Sequence, residues 1–155
     1  MKNLGLFLAT CAYVGHVPVA PGTAGSLVGV AVFYALRTVG GTMAEGAAIV
    51  IIFAVGVWAS GVAERHWQRT DPGPVVIDEV VGTLITLLWL PLTGPGVFVG
   101  FLVFRVLDVV KPWPAARFES LHGGLGVMAD DAMAGVYGHL VMRVLIALAP
   151  AGWLT

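Results

Sequence analysis

Nine Asp and Glu residues occur in this 155-residue chain, and five of them fall in three short segments. PVVIDEVVGTLITLLWL sets Asp78 and Glu79 at the mouth of an apolar helix with no basic neighbour in sequence. FRVLDVVKPWP spaces Arg105, Asp108 and Lys111 three apart, so on a helix they form one edge, which Pro112 ends after Lys111. Asp130 and Asp131 follow HGGLGVMA and precede an apolar helix expected to start at Ala132. Carboxylates at a hydrocarbon edge cost several kcal/mol apiece unless a cation meets them. Singly, each has a structural explanation: Asp130 or Asp131 as a helix cap, Arg105–Asp108 as an ion pair, Asp78 in interfacial water. Together, carboxylates delivered from three segments suit Mg²⁺, a hard cation held by carboxylates, waters and substrate phosphate. Such an ion beside Arg105 and Lys111 suits a phosphoryl substrate.

The uncharged block GHVPVAPGTAGS, Gly15 to Ser26, could serve the same chemistry. Pro21-Gly22-Thr23 leads into a helix expected to begin near Ala24, so free backbone N–H groups and the hydroxyls of Thr23 and Ser26 could face an anion. Capping with tight helix packing explains the block equally well. His122, Gly123 and Gly124, with Gly126, read as a flexible loop able to fold over a head group. No Gly-Lys-Ser/Thr follows, which disfavours nucleotide binding. Other phosphatase chemistries lack their residues: Cys11 has Val17 rather than Arg six positions on, no Asp-x-Asp pair occurs, and Lys111 and Arg117 are too close for the histidine-based lipid phosphatase signature. Metal-assisted hydrolysis is left, with an activated water or a carboxylate attacking phosphorus.

These residues must be positioned by a chain that is 58% hydrophobic and 11% charged, with a mean hydropathy of +0.92. A soluble domain carries about 25% charged residues, so a freely soluble globule is excluded. A net charge of −1 provides no basic field for nucleic acid, and the single Cys11 excludes a disulfide framework. Ala44–Ala63 is long enough to cross the roughly 30 Å of a bilayer core. Further spans are expected over Ala24–Val39, Val75–Leu92, Val97–Asp108 and Ala132–Ala149. Gly25/Gly29 and Gly96/Gly100 have the spacing of closely packed membrane helices. Leu4–Val14 superficially resembles a signal peptide but is expected to remain attached as a half-buried first helix. The reading is an all-α, integral membrane helical bundle of about five spanning or partly spanning helices plus a short N-terminal helix, in a single domain over 1–155. Alternating spans bring Gly15–Ser26, 64–79 and 105–131 to one face. Arg65, Arg69, Arg105, Lys111 and Arg117 lie there, and chiefly Lys2 and Arg37 opposite, which makes the polar face cytoplasmic.

PGTAGSL at 21–27, VVIDEVVG at 75–82, FRVLDVVKPWP at 104–114 and HGGLGVMADDAMAG at 122–135 closely resemble the four signature blocks of the phosphatidylglycerophosphatase A family. The resemblance runs in order from about Gly15 to Gly138. It implies a multi-pass, Mg²⁺-dependent phosphatase of the bacterial inner membrane that converts phosphatidylglycerophosphate to phosphatidylglycerol. It further implies that Asp78, Glu79, Asp108, Asp130 and Asp131 form the acidic group and that Arg105 and Lys111 bind phosphate. Within that group we assign Asp78, Glu79 and Asp131 to the metal, and the catalytic role to Asp78 with Asp108 or Asp130 as base. Ile77 stands where some relatives carry an aromatic residue. Partners are then a phospholipid substrate and the bilayer; close-packing glycines are compatible with a homodimer without demanding one. Alternatives are another phospholipid or isoprenoid phosphate monoesterase, or a cation-coupled small transporter. The transporter would spread its acids along the membrane normal. A CDP-alcohol phosphotransferase would show an Asp-Gly signature that is missing, and a non-catalytic assembly subunit would release no phosphate.

Overall fold

The computed structural model describes residues 1–113, 121 and 123–155. Among them are α1 (Lys2–Ala9), a 3-10 turn (Val14–His16), α2 (Pro21–Val39), α3 (Gly41–Trp67), α4 (Ile77–Leu87), α5 (Gly94–Val110) and α6 (Gly124–Leu148). The chain is all-helical there, and α2, α3 and α6 are long and apolar enough to cross a membrane. His122 and Arg117 lie outside the described residues.

The centre of the bundle is α4. Nine of its residues are buried, from Ile77 to Leu87, so it is apolar on all sides, as a helix enclosed by others must be. Its Ile77 and Val81 pack with Ala59, Ala63, Val127 and Met128, and its Val80, Leu84 and Leu87 with Phe33 and Val97. Its 11 residues reach roughly 16 Å, well short of the span expected over Val75–Leu92. The apolar run continues, but the helix does not: Trp89 takes a left-handed conformation with φ 57°, two residues before Pro91. The Trp89 N–H donates to Glu45 Oε2 at 2.9 Å and its indole Nε1 to the Thr42 carbonyl at 2.8 Å. Arg37 completes this far-end junction, with Nε 2.9 Å from Glu45 Oε1 and Nη2 bonded to the Leu90 carbonyl.

Close packing lets α2 lie on α4. A Cβ on Gly25 would stand 2.7 Å from Val76 Cβ and one on Gly29 2.8 Å from Thr83 Cβ, so only glycine admits this approach. Two further boundaries differ from expectation. Helix α2 starts at Pro21 rather than near Ala24, with proline favourably placed in the first turn. Helix α6 starts at Gly124 rather than Ala132, so Gly124 is the first helical residue instead of part of a loop. The weak helix propensity of Gly124 and Gly126, about 1 kcal/mol each relative to Ala, is overridden because Gly124 seats directly on the α3 backbone at Val57 and Gly61. Asp130 and Asp131 consequently lie in the second turn of α6 and cap nothing.

Large apolar side chains lie on the outside of the bundle, and the acids lie within it. Leu27, Val50, Ile51, Phe98, Val106 and Val144 are exposed, while Asp78, Asp108, Asp130 and Asp131 are buried. Lys2, expected at the far face, instead lines a cavity with Trp58, Arg65 and His66 at the C-terminal end of α3.

Candidate active site

Three helix segments bring the acids together. The first turn of α4 carries Asp78 and Glu79, the last turns of α5 carry Arg105 and Asp108, and the second turn of α6 carries Asp130 and Asp131. Lys111 caps α5 in a left-handed conformation with φ 45°, its N–H closing on the Leu107 carbonyl at 2.8 Å. The following Pro112 disfavours a further helical residue there, and the resulting turn directs the lysine to α6. Lys111 Nζ then lies 2.6 Å from Asp130 Oδ2.

Arg105 links the other helices. Its Nη1 is 2.7 Å from Asp108 Oδ2 on the same helix, 3.9 Å from Glu79 Oε1 on α4, and donates to Ser26 Oγ on α2 at 3.4 Å. Ser26 donates its own proton to the Gly22 carbonyl at 2.9 Å. This hydroxyl therefore orients Arg105 in the structure. Gly22 is needed for the same reason: a Cβ there would run into Glu79 Oε1 and stand 3.0 Å from Arg105 Nη2. The backbone N–H groups of Thr23 and Ala24, expected to be free for an anion, both donate to the Ala20 carbonyl, at 3.0 and 3.3 Å. Thr23 itself is half-buried on that turn.

One carboxylate oxygen each from Asp78, Glu79 and Asp131 lies within 4.8 Å of the others. Oxygens on opposite sides of a cation with bonds of about 2.1–2.4 Å are separated by about that much, so the three residues could hold a metal ion. Two further observations support the fit. Glu79 Oε2, Asp130 Oδ1 and Asp131 Oδ2 are buried with no hydrogen-bond partner among the described residues. Among the described residues, the five carboxylates outnumber the two cations paired with them, Arg105 and Lys111, in a largely buried site. Buried charge of one sign is costly without compensation, and a divalent oxygen-seeking ion supplies it.

The structure adds residues that spacing alone did not single out. Arg69, Thr70 and Asp71 line a cavity of about 350 Å³ together with Leu121, Gly126, Val127 and Asp130. The Asp-Pro-Gly at 71–73 reads as an ordinary turn, and only the fold places Asp71 in one cavity with Asp130. Gly123, at φ 76°, precedes α6 close to Glu64.

Comparison with known proteins follows the same residues. Positions 7–146 match the family described as Phosphatidylglycerophosphatase A. The chain is 36% identical over 138 residues to phosphatidylglycerophosphatase A of Escherichia coli K12, covering 88% of this chain and 80% of that one. It is 32% identical over 130 residues to the Haemophilus influenzae protein of the same name, covering 83% and 80%. A Bacteroides thetaiotaomicron protein, provisionally named phosphatidylinositol-3-phosphatase, is 37% identical over 137 residues, covering 84% and 86%. No solved structure matches the chain.

Proposed function

The chain belongs to the phosphatidylglycerophosphatase A family, and from that membership we propose that it is a Mg²⁺-dependent phosphatase hydrolysing phosphatidylglycerophosphate to phosphatidylglycerol and inorganic phosphate. The observation that carries this reading is the meeting of Asp78, Glu79 and Asp131 beside the Arg105–Asp108 and Lys111–Asp130 pairs. The whole of 1–155 acts as one membrane-embedded domain in the bacterial inner membrane. Its polar end faces the cytoplasm, on the excess of Arg65, Arg69, Arg105 and Lys111 there, which Lys2 now joins.

Asp78, Glu79 and Asp131 hold the ion. When bound, it polarises a phosphoryl oxygen and lowers the pKa of a coordinated water. Arg105 and Lys111 take the non-bridging oxygens of the phosphomonoester, Arg105 held in place by Ser26, with the Thr23 hydroxyl a further contact from α2. As Lys111 turns to the substrate, Asp130 is released to accept the proton of the attacking water; Asp108 stands in the same relation to Arg105. Attack on phosphorus breaks the bond to the head-group oxygen, which takes the proton held by Asp130 and leaves as the alcohol of phosphatidylglycerol.

Phosphate release from phosphatidylglycerophosphate by detergent-purified protein, with and without a chelator, tests this. Release that stops on chelation and returns with Mg²⁺ is expected, with phosphatidylglycerol as the lipid product. No release, or release indifferent to chelation, overturns it. The Bacteroides relative's name favours a second reading, a phosphomonoesterase for an inositol lipid head group. Faster release from phosphatidylinositol 3-phosphate than from phosphatidylglycerophosphate selects that reading.

A further inference from the structure

The cavity beside Asp130 has a built wall. Helix α3 ends at Gln68, left-handed at φ 50°, and the Arg69 N–H reaches back to the Glu64 carbonyl at 3.3 Å. Asp71 is also left-handed, at φ 46°, and its N–H donates to Glu64 Oε1 at 3.4 Å. Pro72, buried, fixes the next turn by accepting from the Val75 N–H at 2.8 Å. The turn thus holds Arg69, Thr70 and Asp71 opposite Gly126, Val127 and Asp130 of α6.

The cavity offers one guanidinium, one hydroxyl, two carboxylates and a stretch of apolar wall. Asp130, which it shares with the reaction centre, is already matched by Lys111 at 2.6 Å. Arg69 has no side-chain ion pair among the described residues, so it is the cation this cavity presents to a ligand. A lipid head group that carries a terminal phosphomonoester on a polyol also carries a second anion, the phosphodiester joining it to the glyceride. Arg105 and Lys111 serve the first anion, and the second needs a cation of its own a few ångströms away.

We infer that this cavity is a subsite for the bridging phosphodiester of the head group, with Arg69 and Thr70 as its contacts and Asp71 as acceptor for a head-group hydroxyl. The inference rests on the phosphatase reading above and extends it to what the enzyme recognises: an anionic phosphodiester next to the scissile monoester. Arg69 is a specificity residue and takes no part in bond breaking.

The test uses the full chain in detergent, as Arg69→Gln and Arg69→Lys. Arg69 is exposed and its turn is held by main-chain N–H groups on Glu64 rather than by its own side chain, so the fold survives either change. Two inhibitors of phosphatidylglycerophosphate hydrolysis are compared: phosphatidylglycerol in mixed micelles, which has the diester without the monoester, and inorganic phosphate, which resembles the monoester alone. Arg69→Gln is expected to raise the KM for substrate and the inhibition constant for phosphatidylglycerol about tenfold, the size of one charge-assisted hydrogen bond, while that for phosphate moves less than about twofold. Arg69→Lys recovers part of the loss. An unchanged constant for phosphatidylglycerol overturns the subsite, as does a parallel rise for both inhibitors, which would mean a distorted reaction centre. A wild-type protein that releases no phosphate from phosphatidylglycerophosphate instead removes the underlying phosphatase reading.

Discussion

Lys111 Nζ lies 2.6 Å from Asp130 Oδ2, while Oδ1 of the same carboxylate is buried without a hydrogen-bond partner among the described residues. One oxygen is satisfied by a cation from the end of α5, and the other meets no donor among the described residues. The pair thus joins two helices and leaves an acceptor in reserve.

Lys111→Ala removes the cation and strands Asp130. Breaking a buried pair costs about 3–5 kcal/mol, and the 26% exposure of the lysine side chain reduces this to about 2 kcal/mol. Phosphate release is expected to fall by about 100-fold or more. Adding Asp130→Asn should restore most of the melting temperature and none of the activity. Joint recovery of both would make the pair purely structural.

Asp78→Asn and Asp131→Asn each remove one proposed metal ligand and one of the crowded negative charges. Mg²⁺-dependent phosphate release should drop by about 100-fold or more. In chelator the same variants should melt at or above the wild-type temperature, because like-charge repulsion is relieved. A variant with full activity excludes its residue from the metal set.

Mg²⁺ should stabilise the wild-type fold by mass action, by about 2.7 kcal/mol at a hundredfold excess over its dissociation constant. Thermal denaturation in detergent, with Mg²⁺ against an equal ionic strength of NaCl, reads this directly. Asp131→Asn should abolish the difference. Equal melting in both salts for the wild type would count against a resident divalent ion.

Gly22→Ala places a methyl group against Glu79 and Arg105 at the site, whereas Arg37→Met cuts the Arg37–Glu45 junction at the opposite end. The first should lower activity with little loss of stability. The second should cost about 2 kcal/mol, since buried Glu45 loses its cation and keeps only the Trp89 N–H, with activity per folded molecule retained. Melting curves and turnover on the same preparations separate the two.

The spans of α2 and α3 were legible because uninterrupted apolar sequence in a charge-poor chain leaves few alternatives. The five acids and two cations stood out for the same reason. Helix α4 was misjudged in length because Leu88 to Leu90 is apolar but follows another path, set by Glu45 from a distant helix. The early start of α6 depends on the α3 backbone accepting Gly124, a contact with no local signature. Arg69 and Asp71 were not singled out because two left-handed residues turn that segment back toward α6, and neither Gln nor Asp announces such a turn as glycine would.

The two ends of the bundle are fastened differently. Away from the acids, main-chain groups carry the joints: Leu90 and Trp89 are bound to Arg37 and Glu45, and the Thr93 N–H donates to the Leu154 carbonyl at 2.9 Å. Around the acids, α2, α5 and α6 meet chiefly through ion pairs and one serine hydroxyl. Such contacts can be exchanged one for one with the oxygens of an arriving phosphate, so the charged end can take up a head group while the helix packing around Gly25 and Gly124 stays in place.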